Sequence, residues 1–308
     1  MLPLRAITFE ITSTLVCMSV PLGRVYGDAV RHFKLPCPAD DVQMKEAFKV
    51  AYGRTNAELP FFGAPAQLSE RDWWRRMIRS TLAEAGCNEA VADEETFDLV
   101  FRGTPALEAR DVLRLPTRAD VPRACSVAER IYSAFGSPDV WSPCPEGQRA
   151  MQHAKKRGLV VGVASNVYPR YVDANLPLLG LHRDLDFAVT SHALGQKKPS
   201  RAVFEAATRK AAHVHLLLGG GTSVVRDGGA AAAAAAPLEP EQVLHIGDDL
   251  QNDYLAARAA GLRALLFDPE GKYAAGGSSS SVEGLARADI ICSLDEVPAR
   301  IDVLLGVA

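Results

Sequence analysis

A chain of 308 residues that is 48% hydrophobic and 23% charged has the make-up of a globular protein with a sizeable core. Its net charge of −3 argues against a general nucleic-acid binder and against a membrane-surface protein held by basic attraction. No apolar run of about 18 residues is present to span a bilayer as a helix. The six cysteines (Cys17, Cys37, Cys87, Cys125, Cys144 and Cys292) form no CxxC pair or zinc-type cluster. Reduced thiols in a cytoplasmic protein are the plain expectation. Organellar import stays open, although the amino terminus already reads as structure.

In chain order, Ala6-Ile7-Thr8-Phe9 reads as a buried strand that ends at an acid, Glu10, and then a polar run, Thr12-Ser13-Thr14. From Pro21 to Phe135 the pattern is helical with almost no strand signal. Tyr26, Val30 and Phe33 lie at helical spacing, and Asp41–Tyr52 repeats the pattern. Ser69–Leu82 opens with a Ser cap and acids, then carries Trp73, Trp74, Met77, Ile78 and Leu82. Glu94–Phe101 and Ser126–Phe135 are further helix candidates, with a proline-rich loop over 103–123 between them. The two tryptophans suit core packing better than a pocket wall.

After Trp141 the pattern changes. A helix over Glu146–Arg157 stops at Gly158, and the apolar strand Leu159–Ala164 follows. Phe187–Ser191, Val243–Asp248, Arg263–Phe267 and Ala288–Cys292 are further strands, with helices at Arg201–Ala212 and Asn252–Ala260 between them. This alternation predicts an α/β fold, a Rossmann-like doubly wound parallel sheet with an inserted helical region. The expected division is a core of 1–18 and 138–308, a helical cap of 19–137, and a low-complexity surface insertion at 218–237. Gly276–Ser281 is a second low-complexity stretch.

Four strand-end segments carry chemistry: Glu10 to Leu15, Ser165-Asn166, Lys197-Lys198-Pro199, and Gly247-Asp248-Asp249 with Asp253. Gathered at the carboxyl edge of one sheet, where ligands of such folds bind, they make a phosphate-type site. Acids at Glu10 and Asp248, with Asp249 or Asp253 in support, suit a hard divalent cation such as Mg2+. Ser165 suits a phosphoryl oxygen, and Lys198 adds fixed positive charge. Each member also has an ordinary reading: a helix cap for Asp248-Asp249, a turn pair for Ser165-Asn166, a solvated lysine for Lys198. Lys197 is a one-residue rival to Lys198.

The order strand–acid–Thr-Leu, strand–Ser-Asn, Lys-Pro, strand–Gly-Asp-Asp–Asn-Asp resembles the four motifs of the haloacid dehalogenase (HAD) superfamily, over nearly the whole chain. The helical insertion after the first motif resembles that family's type 1 cap. Trp73-Trp74, Ser165-Asn166 and His245-Ile246-Gly247-Asp248 with Asp253-Tyr254 narrow the likeness to one subgroup. The resemblance implies a hydrolase of phosphatase type that uses Mg2+ and a small phosphorylated substrate. It puts the nucleophile at Glu10, the acid/base position at Thr12, and the second-motif hydroxyl and the lysine at Ser165 and Lys198. Substrate contacts fall to Ser165, Asn166 and Lys198, and the metal to Glu10, Thr12, Asp248, Asp249 and Asp253.

Two positions depart from the family pattern. Glu10 replaces an aspartate and moves the nucleophilic oxygen by roughly an ångström, which costs about 100-fold in a positioned reaction. Thr12 replaces an acid and cannot protonate a leaving alkoxide, a further factor of about 100 to 10,000. The expectation is therefore a Mg2+-dependent phosphatase-like hydrolase with weak or altered activity. The alternative is a catalytically inactive protein that keeps the fold for binding or scaffolding. Dehalogenase chemistry ranks third, because it would leave the acids of Gly247-Asp248-Asp249 without a task.

Overall fold

The computed structural model describes residues 2–91, 126–219, 238–273 and 283–307. The helix expected at Glu94–Phe101, the loop at 103–123, most of the insertion at 218–237 and the Gly276–Ser281 run lie outside the described residues. The chain divides into two units, Met1–Cys17 with Ser142–Ala308, and Met18–Trp141.

Strand β1 (Ala6–Phe9) is buried along its whole length, as an apolar run without alternation requires. β2 (Val16–Met18) follows after a tight turn in which Ser13 takes a left-handed conformation, φ 61°. The second unit is helical: α1 (Leu22–His32), α2 (Asp41–Glu58), α3 (Glu70–Glu84) and α4 (Val127–Ala134). Its helices start where side chains satisfy the first free N–H groups. Asp40 accepts from the Gln43 backbone N–H at 2.8 Å, while the Gln43 side chain accepts from the Asp40 N–H at 2.9 Å. Ser69 and Ser126 cap α3 and α4 in the same sense.

Trp73 is fully buried, donates its indole N–H to the Leu59 carbonyl at 2.8 Å, and packs edge-on against Tyr52 and Phe62. It is core, as its setting in the sequence favoured. The expectation of reduced thiols fails in this unit. Cys37 and Cys87 are joined as a disulfide with Cα atoms 4.4 Å apart. Their 50-residue separation hides a proximity that only the packing of α1, α2 and α3 creates.

β3 (Trp141–Pro143) pairs with β2 in a two-stranded sheet that the sequence reading missed, since three-residue strands leave no periodicity to read. The first unit resumes with α5 (Pro145–Lys156), β4 (Val160–Ser165), β5 (Phe187–Thr190), α6 (Arg201–Leu217) and β6 (Val243–Gly247). A π-helical turn at Leu250–Leu255 leads into α7 (Ala256–Ala259). β7 (Arg263–Phe267), β8 (Ile290–Ile291) and α8 (Val297–Leu305) complete the chain. Pro145 at the start of α5 and Gly158 with φ 75° just past its end follow the usual helix asymmetry.

The six strands form one sheet in the order β5-β4-β1-β6-β7-β8, and every pairing is parallel. This is the Rossmann-like sheet with surrounding helices that the alternation predicted. Ala6, Val160, Phe204, Val243, Tyr254 and Leu266 share one buried cluster between sheet and helices. Each large apolar side chain so buried contributes about 1.5–3 kcal/mol. β1 is central: Phe9 lies opposite Val163 on one side and Ile246 on the other. That register brings the residues just past three strands to one edge. No helix among the described residues is long and apolar enough to cross a membrane.

Candidate active site

Glu10 follows β1 directly, and its backbone N–H donates to the Ile246 carbonyl at 2.8 Å. Its carboxylate is buried and bonded on both oxygens. Oε1 accepts from the Ser165 hydroxyl at 2.5 Å, the Thr12 hydroxyl at 3.1 Å and the Thr12 backbone N–H at 3.2 Å. Oε2 accepts from Lys198 Nζ. Lys198 also donates to Asp253 Oδ1, and to the Ala164 carbonyl at 2.9 Å. Its three ammonium hydrogens are thus all engaged.

Lys198 is 2% exposed and bonded to Glu10, whereas Lys197 is exposed. Burial lowers the Lys198 pKa, but the carboxylates of Glu10 and Asp253 outweigh it and leave the amine above the ordinary lysine value. Asn166 sets where this lysine sits. Its side-chain oxygen accepts from the Lys198 backbone N–H at 2.8 Å, and its amide donates to the Lys198 carbonyl at 3.1 Å. The sequence reading gave Asn166 to substrate; here both ends of its amide hold backbone.

Asp253 stands behind the lysine. Oδ2 accepts from the Asp249 backbone N–H at 3.0 Å, and Oδ1 lies 3.2 Å from His245 Nε2. Burial raises the Asp253 pKa, but Lys198 and His245 more than reverse this and keep it well below the carboxylate range. Burial, with the charge of Lys198, lowers the His245 pKa against the pull of Asp253. With a carboxylate at Nε2 the ring carries its hydrogen there, so Nδ1 accepts from the Thr8 hydroxyl at 2.9 Å. Gly247 is required beside this group, because a Cβ there would overlap the Asp253 side chain.

The sequence marks His245 only as part of a subgroup motif and gives neither it nor Thr8 a role in the site. The available signal was a polar residue at the middle of each of two otherwise apolar strands, and the register does pair Thr8 with His245.

Asp248 sits at the rim, half-buried, with Oδ1 accepting from Thr14 at 3.2 Å. Burial, then the negative charges of Asp253 and Glu10, push its pKa up to about 6. Asp249 is exposed and caps the following turn, accepting from the Gln251 and Asn252 N–H groups at 2.8 Å. The site therefore brings together Glu10, Thr12, Ser165, Lys198, Asp248 and Asp253. Asp249 is occupied as a helix cap and Asp253 as the partner of Lys198.

Two carboxylates share one ammonium here and a third, Asp248, lies near them, a surplus of negative charge that suits a hard divalent cation. Among the described residues no group of three or more His, Cys, Asp or Glu is arranged for a metal. Were a Mg2+ ion held here, Glu10 and Asp248 would be the carboxylates to hold it, and Mg2+ commonly takes one or two.

A parallel Rossmann-like sheet with acid, hydroxyl, lysine and acid at its carboxyl edge is the arrangement that the four motifs led one to expect. The family model of the haloacid dehalogenase-like hydrolases matches residues 4–261, and the chain belongs to that family. Haloacid dehalogenase-like hydrolase domain-containing protein 3 from Bos taurus is 27% identical over 265 residues, 86% of this chain and 82% of its own. The Rhythmically expressed gene 2 protein of Drosophila melanogaster is 25% identical over 268 residues, 85% of this chain and 82% of its own. In fold the chain is similar to 2-haloacid dehalogenase from Pseudomonas syringae, with a TM-score of 0.54 and 20% identity over 96% of this chain and 97% of that one.

Proposed function

We propose that this chain is a HAD-family hydrolase with a Mg2+ and phosphate site of phosphatase type and weak turnover on a small phosphorylated metabolite. The observation that carries the reading is the Glu10 carboxylate, buried and bonded on both oxygens. A carboxylate that attacks phosphorus needs an oxygen with a lone pair aimed at the reacting atom. Oε1 already accepts three hydrogen bonds, and Oε2 is held by Lys198. Thr12, at the acid/base position, turns its hydroxyl onto Glu10 and has no proton acidic enough for a leaving alkoxide.

Binding chemistry is better supported than turnover. Asp248, whose carboxylate takes a single side-chain hydrogen bond from Thr14, would be the main holder of the cation, and Glu10 would join it only by exchanging one of its hydrogen bonds for the ion, with Thr12 beside them. When bound, Mg2+ would neutralise phosphoryl charge. Ser165 and Lys198 stand at the same edge to bind and orient a phosphoryl group, and Asp253 and His245 fix the lysine. We assign the helical unit Met18–Trp141 the role of the cap that selects substrate.

The test is a phosphate-ester assay with Mg2+, run beside Glu10→Asp, with Mg2+ titrations of wild type and Asp248→Ala. The expected result is slow wild-type turnover, a rise of about 100-fold in Glu10→Asp, and Mg2+ binding that Asp248→Ala abolishes. Ordinary phosphatase rates in wild type that fall in Glu10→Asp would overturn the reading. A Glu10→Asp variant as inert as wild type would favour the scaffold alternative, which the same saturated carboxylate also fits.

A further inference from the structure

The amino-terminal ends of β6 and β7 lie at the opposite edge of the sheet from Glu10 and Asp248. A cavity of about 590 Å³ opens there. Its floor is aliphatic, built from Leu244, Leu262, Ala264 and Leu265, with Val303 and Leu304 of α8 along one side. Three arginines line it: Arg258 from α7, Arg263 at the start of β7, and Arg300 from α8.

Two acids also line the cavity, Glu241 and Asp289. Asp289 is engaged, since it accepts the Tyr254 hydroxyl at 2.6 Å. Arg263 donates through Nη2 to the Leu2 carbonyl at 2.5 Å. Its Nη1 is buried, with no hydrogen-bond partner among the described residues. A buried N–H without an acceptor is unfavourable, and an anionic oxygen would relieve it. Burial also lowers the Arg263 pKa, against the pull of Glu241.

We propose that this cavity binds a second ligand, a small phosphorylated metabolite. Arg258, Arg263 and Arg300 take its phosphate, and its uncharged body lies on the aliphatic floor. The planar guanidinium fork matches phosphate oxygens two at a time. The volume falls within the range of small-molecule sites, and an apolar lining with a few charged residues is their usual construction. The site shares no residue with the strand-end cluster around Glu10.

The test is calorimetric titration of the full chain with adenosine monophosphate as probe, in EDTA so that no cation contributes. Saturable binding is expected, weakened at least about tenfold in the double variant Arg258→Glu with Arg300→Glu. Arg258 is exposed and Arg300 meets Glu296 only at 4.0 Å, so both substitutions leave the fold intact. Adenosine, which lacks the phosphate, should bind at least about tenfold more weakly. Arg263→Met should weaken the probe in the same way, provided its circular dichroism matches wild type; the double variant decides the question if it does not. Absence of saturable binding up to about 1 mM probe, equal affinity in the double variant, equal affinity for adenosine, or loss of binding in Asp248→Ala would each overturn the proposal. Only the last would point back to the strand-end site.

Discussion

In the helical unit, Glu129 on α4 accepts from two guanidinium groups, those of Arg71 and Arg75 on α3. Burial raises its pKa, but the two arginines outweigh that and hold the carboxyl below its ordinary range. In the sheet unit, Glu10 and Asp253 share the single ammonium of Lys198, and Asp248 stands near both acids without a cation of its own. In the first cluster the buried acid is matched by two positive groups, both carried by the neighbouring helix α3. The second is left with negative charge over, and the least compensated member, Asp248, is the one at the rim. An ion cluster that serves packing balances itself, whereas one that serves a ligand leaves part of the balance to the ligand.

The contrast breaks most sharply at Lys198. Lys198→Met leaves two buried carboxylates without their cation and should cost about 3–5 kcal/mol in chemical denaturation. A loss under about 1 kcal/mol would mean that the acids find other partners or take up protons cheaply. Arg75→Met probes the first cluster. Glu129 keeps Arg71, so the expected loss is about 2 kcal/mol, with Mg2+ affinity unchanged by calorimetry. A change in Mg2+ affinity there would erase the distinction between the clusters.

The smallest effect is pH dependence at the rim. Asp248 titrates at about 6 in the folded chain, against an ordinary aspartate value of 3.8. Its folded value is raised, so the folded state holds the proton more tightly, and this group's contribution to stability falls as pH rises from about 4 to about 6. A cation competes for the same oxygens. Mg2+ affinity should therefore drop about tenfold between about pH 7 and about pH 5. A flat profile over that interval would show that Asp248 does not ligate the ion.

Much of this was legible in the sequence, for identifiable reasons. Buried parallel strands are continuous apolar runs, so β4, β6 and β7 stood out, and each functional segment lay at a strand's end. Lys198 was preferred over Lys197 because Pro199 follows it directly. What stayed hidden depended on contacts between distant segments. The pairing of Thr8 with His245 needs the register of β1 against β6. The separate tasks of Asp249 and Asp253 depend on how the turn at Leu250–Leu255 winds, which a run of acids cannot reveal. The link between Cys37 and Cys87 arises from helix packing alone.

Asn166 has a consequence of its own. By meeting both the N–H and the C=O of Lys198, its side chain imitates a neighbouring strand. The sheet in effect gains a rung beyond the end of β4, made from a side-chain amide instead of a peptide. The loop that carries the lysine is therefore indexed to the sheet, residue against residue, as though it were woven into it. Sequence changes elsewhere in that loop can alter its course without moving the amine. The position of the charge is set at the strand end, and the loop is free to vary around it.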